Sequence, residues 1–150
     1  MRLAALAEPL SVGESCMGTG ASIGDGTRLA VPGPGIIGAF CAISARHRGA
    51  EVVIAGTERD EKARLSALRS IGFPTITVGP DLPLLDEQVK AHFSEEADAL
   101  VEASGAPPVL ADAWKSLRPN GIVTVVALYG ANVDFAITQF VRKQIDVRVT

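Results

Sequence analysis

Leu29-Ala30-Val31-Pro32-Gly33-Pro34-Gly35-Ile36-Ile37-Gly38 decides how the rest of the chain is read. A short apolar run ends in three glycines spaced G-x-G-x-x-G, and a stretch rich in small residues, Ala39 to Ala45, follows. This order predicts a strand, a tight turn and a helix. Each glycine has its own task in such a unit. Gly33 lets the chain turn as it leaves the strand. Gly35 has no side chain, so the pyrophosphate of a ligand can approach the backbone there. Gly38 lets the helix pack close to the strand. The unpaired N–H groups and positive dipole end of the helix would then face the phosphates. The motif alone is weak, because 15 of the 150 residues are glycine and a chance match is easy. Its context is what gives it weight.

Outward from the turn, strand and helix patterns alternate. The first strand is Thr27 to Val31. A helix over 39–48 ends at Gly49, with Arg46, His47 and Arg48 in its last turn, where positive charge suits the dipole. Glu51 to Ala55 reads as a second strand, apolar throughout after Glu51 and therefore buried on both faces. Thr57 is placed to cap the next helix, with Asp60 three residues on, and that helix runs to about Ser70 before Gly72 stops it. Thr75 to Val78 is a third strand and Leu84 to Phe93 a helix. Ala99 to Ala103 is a fourth strand. Pro107 or Pro108 opens a helix carrying Leu110, Trp114 and Leu117, and Pro119-Asn120-Gly121 is a turn. Ile122 to Leu128 is a fifth strand, Phe135 to Lys143 a helix and Ile145 to Val149 a sixth strand.

Six alternations predict an α/β fold, a doubly wound six-stranded parallel sheet with helices on both faces, in strand order 3-2-1-4-5-6. Upstream, Leu3, Leu6, Ala7 and Leu10 share one face of an expected helix from Leu3 to Met17, weakened by Pro9 and Gly13. A loop from Gly18 to Gly26 follows. The expected organisation is therefore an N-terminal helix with a glycine-rich lead-in over 1–26 and a nucleotide-binding domain over 27–150. In such sheets ligands bind at the carboxyl ends of the strands, here Gly33–Gly38, Gly56–Arg59, Ser104–Pro107 and Leu128–Ala131.

Bulk composition narrows the function classes. Hydrophobic residues make up 47% and charged residues 21%, as in a folded globular core. The net charge of −3 shows no basic excess, which argues against nucleic acid as a partner. No apolar run is long enough for a membrane span, and no secretory signal pattern opens the chain. Two cysteines, Cys16 and Cys41, make no disulfide framework, so the expected compartment is the cytoplasm.

An NAD site of this type has an acidic residue at the end of the second strand to accept bonds from the ribose 2′-hydroxyl. Here that position is Gly56, followed by Thr57, Glu58 and Arg59. The missing carboxylate removes repulsion against a 2′-phosphate, Thr57 offers a hydroxyl donor and Arg59 a charge-assisted partner. The reading leans to NADP over NAD, with Glu58 as an alternative acidic group two residues on. The same Gly56 disfavours a methyl transferase using S-adenosylmethionine, whose site also favours an acid there.

Several segments in order resemble one family. Ala4-Ala5-Leu6-Ala7-Glu8-Pro9-Leu10-Ser11-Val12 resembles the A-A-L-x-E-P-L-S/A-V segment of medium-chain, zinc-dependent alcohol and polyol dehydrogenases, the sorbitol, threonine and butanediol dehydrogenase relatives. Gly33 to Gly38 resembles their G-P-G-P-I-G turn, and Ala97 to Gly105 their A-D-V-V-I-E-A-S-G strand. Ser116 to Gly121 and Val126 to Gly130 resemble L-R-P-G-G and V-G-L-Y-G. The resemblance implies the Rossmann cofactor domain of such an enzyme. It implies that Gly33, Gly35 and Gly38 hold the pyrophosphate with Ile36 and Ile37 beside it. Ser104 and Gly105 would line the adenosine and ribose path, and Leu128 and Tyr129 would flank the nicotinamide.

Glu8 matches a glutamate near the family's catalytic zinc. By the resemblance, the zinc ligands themselves are expected in a catalytic domain outside this sequence, and Cys16, Cys41, His47 and His92 fit no zinc spacing. Zinc is therefore expected only in the intact family. Hydride transfer between nicotinamide and an alcohol or ketone is expected only if that domain is supplied elsewhere. The alternative is a stand-alone, non-catalytic dinucleotide-binding or interaction protein. Expected partners are a dinucleotide and either a second copy of the chain or the missing catalytic domain, with no nucleic acid and no membrane.

Overall fold

The computed structural model describes residues 4–18 and 23–150. Residues 1–3 and 19–22 lie outside the described residues, with the first residue of the expected N-terminal helix and part of the glycine loop.

A 3-10 turn, Ala4–Leu6, leads into α1, Ala7–Gly18. Then come β1, Arg28–Pro32, α2, Ile36–His47, and β2, Glu51–Thr57. A 3-10 turn over Glu58–Asp60 and a π turn over Glu61–Leu65 run into α3, Ser66–Ser70. The chain continues through β3, Thr75–Val78, α4, Leu85–Phe93, and β4, Ala97–Glu102. It ends with α5, Pro107–Ala111, α6, Ala113–Ser116, β5, Leu117–Val125, α7, Ile137–Lys143, and β6, Asp146–Val149.

The six strands form one sheet in the order β3-β2-β1-β4-β5-β6, and every pairing is parallel. The chain winds outward from β1 to β3, then crosses back to β4 on the other side of β1. That crossing is the switch point.

Side-chain alternation along the strands builds two cores. Leu29 and Val31 of β1, Val52 and Ile54 of β2 and Val101 of β4 face one side, against Cys16, Met17, Cys41, Ala42, Ala45 and Leu68 of α1 to α3. Ala30, Val53, Ala55, Leu100 and Val123 face the other side, against Val89, Leu110, Ala113 and Phe140 of α4 to α7. Both faces are covered, which is why the central strands read as unbroken apolar runs.

Gly13, which weakens α1 as an isolated helix, is where α1 touches α2. A Cβ there would lie 2.8 Å from the Phe40 carbonyl carbon. At the amino ends of the strands, Asp98 of β4 accepts from Arg28 N and Nε at 2.9 Å each and from Arg118 Nε at 2.5 Å. Arg28 also pairs with Glu95. This cluster ties β1, β4 and β5 together at the end of the sheet away from the switch-point crevice.

Some boundaries move. β2 runs on through Gly56 and Thr57 because both pair with β3, opposite Thr77 and Val78. The helix expected over Pro107 to Leu117 breaks at Asp112, and Leu117 joins β5 opposite Ala97. Pro119-Asn120-Gly121 is consequently an irregularity within β5, with Asn120 at φ 58° and a register shift between Ala97 and Ala99. β5 ends at Val125, three residues before the expected limit.

Candidate functional site at the carboxyl ends of the strands

Gly33 leaves β1 at φ +111°, and a Cβ there would lie 2.5 Å from the carbonyl carbon of Ala103. The turn can exist only as glycine, pressed against the end of β4. Pro32 has no donor for the sheet, yet its carbonyl accepts from Ala103 N at 2.9 Å, and Gly33 N continues the pairing to Ala55 O at 2.9 Å. Gly38 is packed harder: its Cβ would lie 1.9 Å from Gly33 O. Gly35 is the opposite case, with nothing within 4 Å of the place a Cβ would take. It is the N-cap of α2, and Ala39 N makes the first intrahelical bond, to Gly35 O at 2.9 Å. The amides of Ile36, Ile37 and Gly38 therefore head the helix with no intrahelical acceptor, beside open space. Ile36 is exposed and Gly38 buried.

Beside this turn lies a cavity of about 280 Å³ over the ends of β1 to β4. Its walls are mostly apolar, including Pro34, Val78, Leu84 and Val109. Gly33, Gly56, Thr57 and Ser104 line it with backbone and hydroxyl groups. Gly56 is confined, since a Cβ would lie 2.7 Å from Pro34 Cγ.

Sequence reasoning took Asp60 only as a helix cap; the structure also puts it in the cavity wall. Its Oδ2 accepts from Thr57 N at 3.0 Å and from Thr57 Oγ1 at 2.9 Å, and its Oδ1 accepts from Arg64 Nη1 at 2.9 Å. Burial works to raise the pKa of this carboxyl, but the Thr57 and Arg64 bonds outweigh it and hold the group below the usual range. The Thr57 hydroxyl proton is thus directed at Asp60. Arg59 is exposed at the rim, outside the cavity lining, and has no hydrogen bond or ion pair among the described residues. Glu58 lies against Gly79, at the end of β3.

On the other side of the β1 turn, Ser104, Gly105 and Tyr129 meet at one side chain that the motif reading passed over. Glu102 ends β4 with its side chain fully buried. Its Oε1 accepts from Ser104 N at 2.8 Å, both its oxygens are 3.2 Å from Gly105 N, and the hydroxyls of Ser104 and Tyr129 also donate to it. Burial, with Glu102 beside it, pushes the Tyr129 phenol well above its ordinary range. Leu128, next to Tyr129, is 96% exposed. Of the expected residues, Gly33, Gly56, Thr57 and Ser104 line the cavity, Gly35, Ile36, Ile37 and Gly38 form the head of α2 outside that lining, and Gly105, Leu128 and Tyr129 lie outside it as well. Arg59 joins none of these groups.

The residues present do not fit a catalytic zinc. Cys16 and Cys41 are free and buried, and the neighbouring Cys16 together with burial raises the Cys41 thiol. His47 and His92 are exposed on different helices, and Glu8 is exposed on α1. Among the described residues no three His, Cys, Asp or Glu side chains converge as a metal site. No helix among them is long and apolar enough to cross a membrane.

A doubly wound parallel sheet with a glycine turn opening onto a helix N-terminus at its switch point defines a nucleotide-binding α/β domain. The particular family follows from comparison. Residues 37–150 match the model of the zinc-binding dehydrogenase family, and the chain belongs to it. The chain is 31% identical to a D-xylulose reductase of Scheffersomyces stipitis, over 97% of its own length and 39% of that protein. It is 30% identical to a sorbitol dehydrogenase of Halalkalibacterium halodurans, over 97% of its length and 42% of that protein. The fold superposes on 2R,3R-butanediol dehydrogenase from Bacillus subtilis with a TM-score of 0.85 at 20% identity, covering 97% of this chain and 41% of that one. The chain thus spans about two fifths of the length of these relatives, as their dinucleotide-binding, alcohol dehydrogenase-like portion.

Proposed function

We propose that the chain binds NADP in preference to NAD and serves as the cofactor half of an alcohol or polyol dehydrogenase-like oxidoreductase. The observation that carries this is the open space at Gly35 between two glycines that are sterically locked, Gly33 and Gly38, beside an apolar cavity. The pyrophosphate would lie on the amides of Ile36, Ile37 and Gly38. The adenosine would enter the cavity between Pro34 and Leu84, over Gly56 and beside Ser104. Two features support the 2′-phosphate. Gly56 and Thr57 put no carboxylate at the end of β2, and the Asp60 carboxylate is paired with Arg64 and holds Thr57. Arg59 is left as a cation at the rim, and Thr57 stands beside it. Leu128 and Tyr129 would flank the nicotinamide half, and Gly105, expected on the adenosine and ribose path, would lie beside them because it is outside the cavity lining and against Leu128.

When bound, the dinucleotide supplies the hydride acceptor or donor. This chain's own residues bind and orient it. No zinc step is assigned to them, and the alcohol would be held by a catalytic domain that carries the metal. The sorbitol and xylulose named for the relatives support a polyol or ketose as the substrate class of the whole enzyme. We place the protein in the cytoplasm, in keeping with its two free thiols. We also propose self-association through β6, which has β5 as its one neighbour in the sheet and carries Val147 and Val149, 41% and 80% exposed.

Fluorescence titration with NADPH and NADH tests the cofactor reading. NADPH should bind more tightly, and Arg59→Ala should weaken it about tenfold while leaving NADH unchanged. Tighter binding of NADH to the unaltered chain would overturn the preference.

A further inference from the structure

Glu102 is the one charged side chain with no exposure among the described residues. Taking a carboxylate out of water is unfavourable by several kcal/mol unless donors replace the water. Here they do, and all are neutral: two amides and a hydroxyl of the segment after β4, and the phenol of Tyr129 after β5. Hydrogen bonds to an ionised acceptor are among the stronger ones in proteins. The carboxylate is therefore a cross-tie between two loops at the carboxyl ends of neighbouring strands.

A second contact runs the same way. Gly105 sits at φ +68°, and a Cβ there would lie 2.9 Å from Leu128 O, so the β5 loop rests directly on the β4 loop. Held at both points, the β5 loop presents Leu128 almost fully to solvent. The Leu128 side chain is thereby held at a defined place beside the ends of β4 and β5. The cavity covers the ends of β1 to β4 on one side of the Gly35 turn, which leaves the ends of β4 and β5 for the second mononucleotide of a ligand that crosses the turn.

We propose that Glu102 is a positioning residue for the nicotinamide half of the dinucleotide: through Tyr129 and Gly105 it sets the height of the β5 loop and hence the place of Leu128. The proposal rests on the dinucleotide reading above and adds to it a division of labour, with the adenosine half independent of the tie between Glu102 and Tyr129.

The test compares NADPH and NADH with their nicotinamide-free counterparts, ADP-ribose 2′-phosphate and ADP-ribose, on the purified chain. Glu102→Gln keeps the side chain's size and removes its charge; Tyr129→Phe keeps the ring and removes only the tie. Tyr129→Phe should bind the nicotinamide-free ligands within about twofold of the unaltered chain and the reduced dinucleotides about five- to tenfold more weakly, with less enhancement of nicotinamide emission; Glu102→Gln should weaken the reduced dinucleotides at least as much, with a smaller loss of the nicotinamide-free ligands through Ser104. A folded variant with unchanged emission and an unchanged ratio between the two kinds of ligand overturns the proposal. So does an equal loss for both kinds, which would mark a general structural role. If Glu102→Gln does not fold, Tyr129→Phe decides the matter alone. Failure of the unaltered chain to bind any of the four ligands would bring down the dinucleotide reading itself, and this proposal with it.

Discussion

Gly35 and Gly38 stand three residues apart and meet opposite surroundings. A methyl group at 38 would be driven into the backbone oxygen of Gly33, 1.9 Å away, and no flexible side chain is there to yield. Gly38→Ala should lower stability by about 3 kcal/mol, read as a shift in the urea midpoint at unchanged slope. At Gly35 the φ of −71° suits any residue and the space is open. Gly35→Ala should therefore leave stability within about 1 kcal/mol, the range for exchanging a helix cap, while weakening dinucleotide binding at least about tenfold. A destabilised Gly35→Ala beside a tolerant Gly38→Ala would reverse the assignment. The spacing G-x-G-x-x-G made these roles legible in the sequence, because each follows from one glycine and its immediate neighbours. Asp60 and Glu102 were not legible as site residues. Asp60 has the spacing of an ordinary helix cap, and its place in the cavity wall depends on how β2 sits beside Pro34. Glu102 interrupts an apolar run, and that alone does not show that Tyr129, 27 residues on, will fold over it.

Elements are joined at the amino ends of the strands by charge. The Arg28 bonds, with help from Arg118, overcome partial burial and hold the Asp98 carboxyl far below the ordinary range for aspartate. In the unfolded chain the group titrates near 3.9. Its contribution is complete above that value and is lost as pH falls toward the lower folded value, where both states become protonated. Asp98→Asn should lose about 2 kcal/mol at pH 7, and the gap should close progressively below about pH 4. Urea unfolding at a series of pH values measures this, and a gap that persists unchanged into acid would count against it.

The other informative joint at this scale is Asn120, at φ 58° within β5. Asn120→Gly should change stability by less than about 0.5 kcal/mol, whereas Asn120→Val should destabilise by about 1–2 kcal/mol, measured by thermal melts. The composition of Pro119-Asn120-Gly121 correctly marked a break in regular backbone. It could not show that β5 begins earlier, because that start is set by Leu117 pairing with Ala97 across the sheet. The boundary at Leu117 is tertiary in origin, whereas the start of β3 at Thr75 after Gly72 and Pro74 is written locally.

For the whole molecule, strand order and the presence of helices on both faces were legible because burial on both sides leaves a plain mark, unbroken apolar strands between amphipathic helices. Leu29 and Val31 serve one core and Ala30 the other, so each residue in the run is spoken for. Among the described residues no three His, Cys, Asp or Glu side chains converge as a metal site. The purified chain, mixed with sorbitol and NADP, should accordingly produce no NADPH, and measurable turnover would contradict the assignment of this chain to the cofactor half.

On the proposed reading, a dinucleotide crosses the switch point with its pyrophosphate on the head of α2. The most direct measurement is a two-dimensional amide NMR titration of the isotopically labelled chain with NADPH. Saturable shifts should concentrate at Gly33 to Gly38, at Gly56 and Thr57, and at Ser104, Gly105 and Leu128. Shifts confined to the opposite end of the sheet, around Asp25 and Arg118, or none at all from a well-dispersed spectrum, would contradict it.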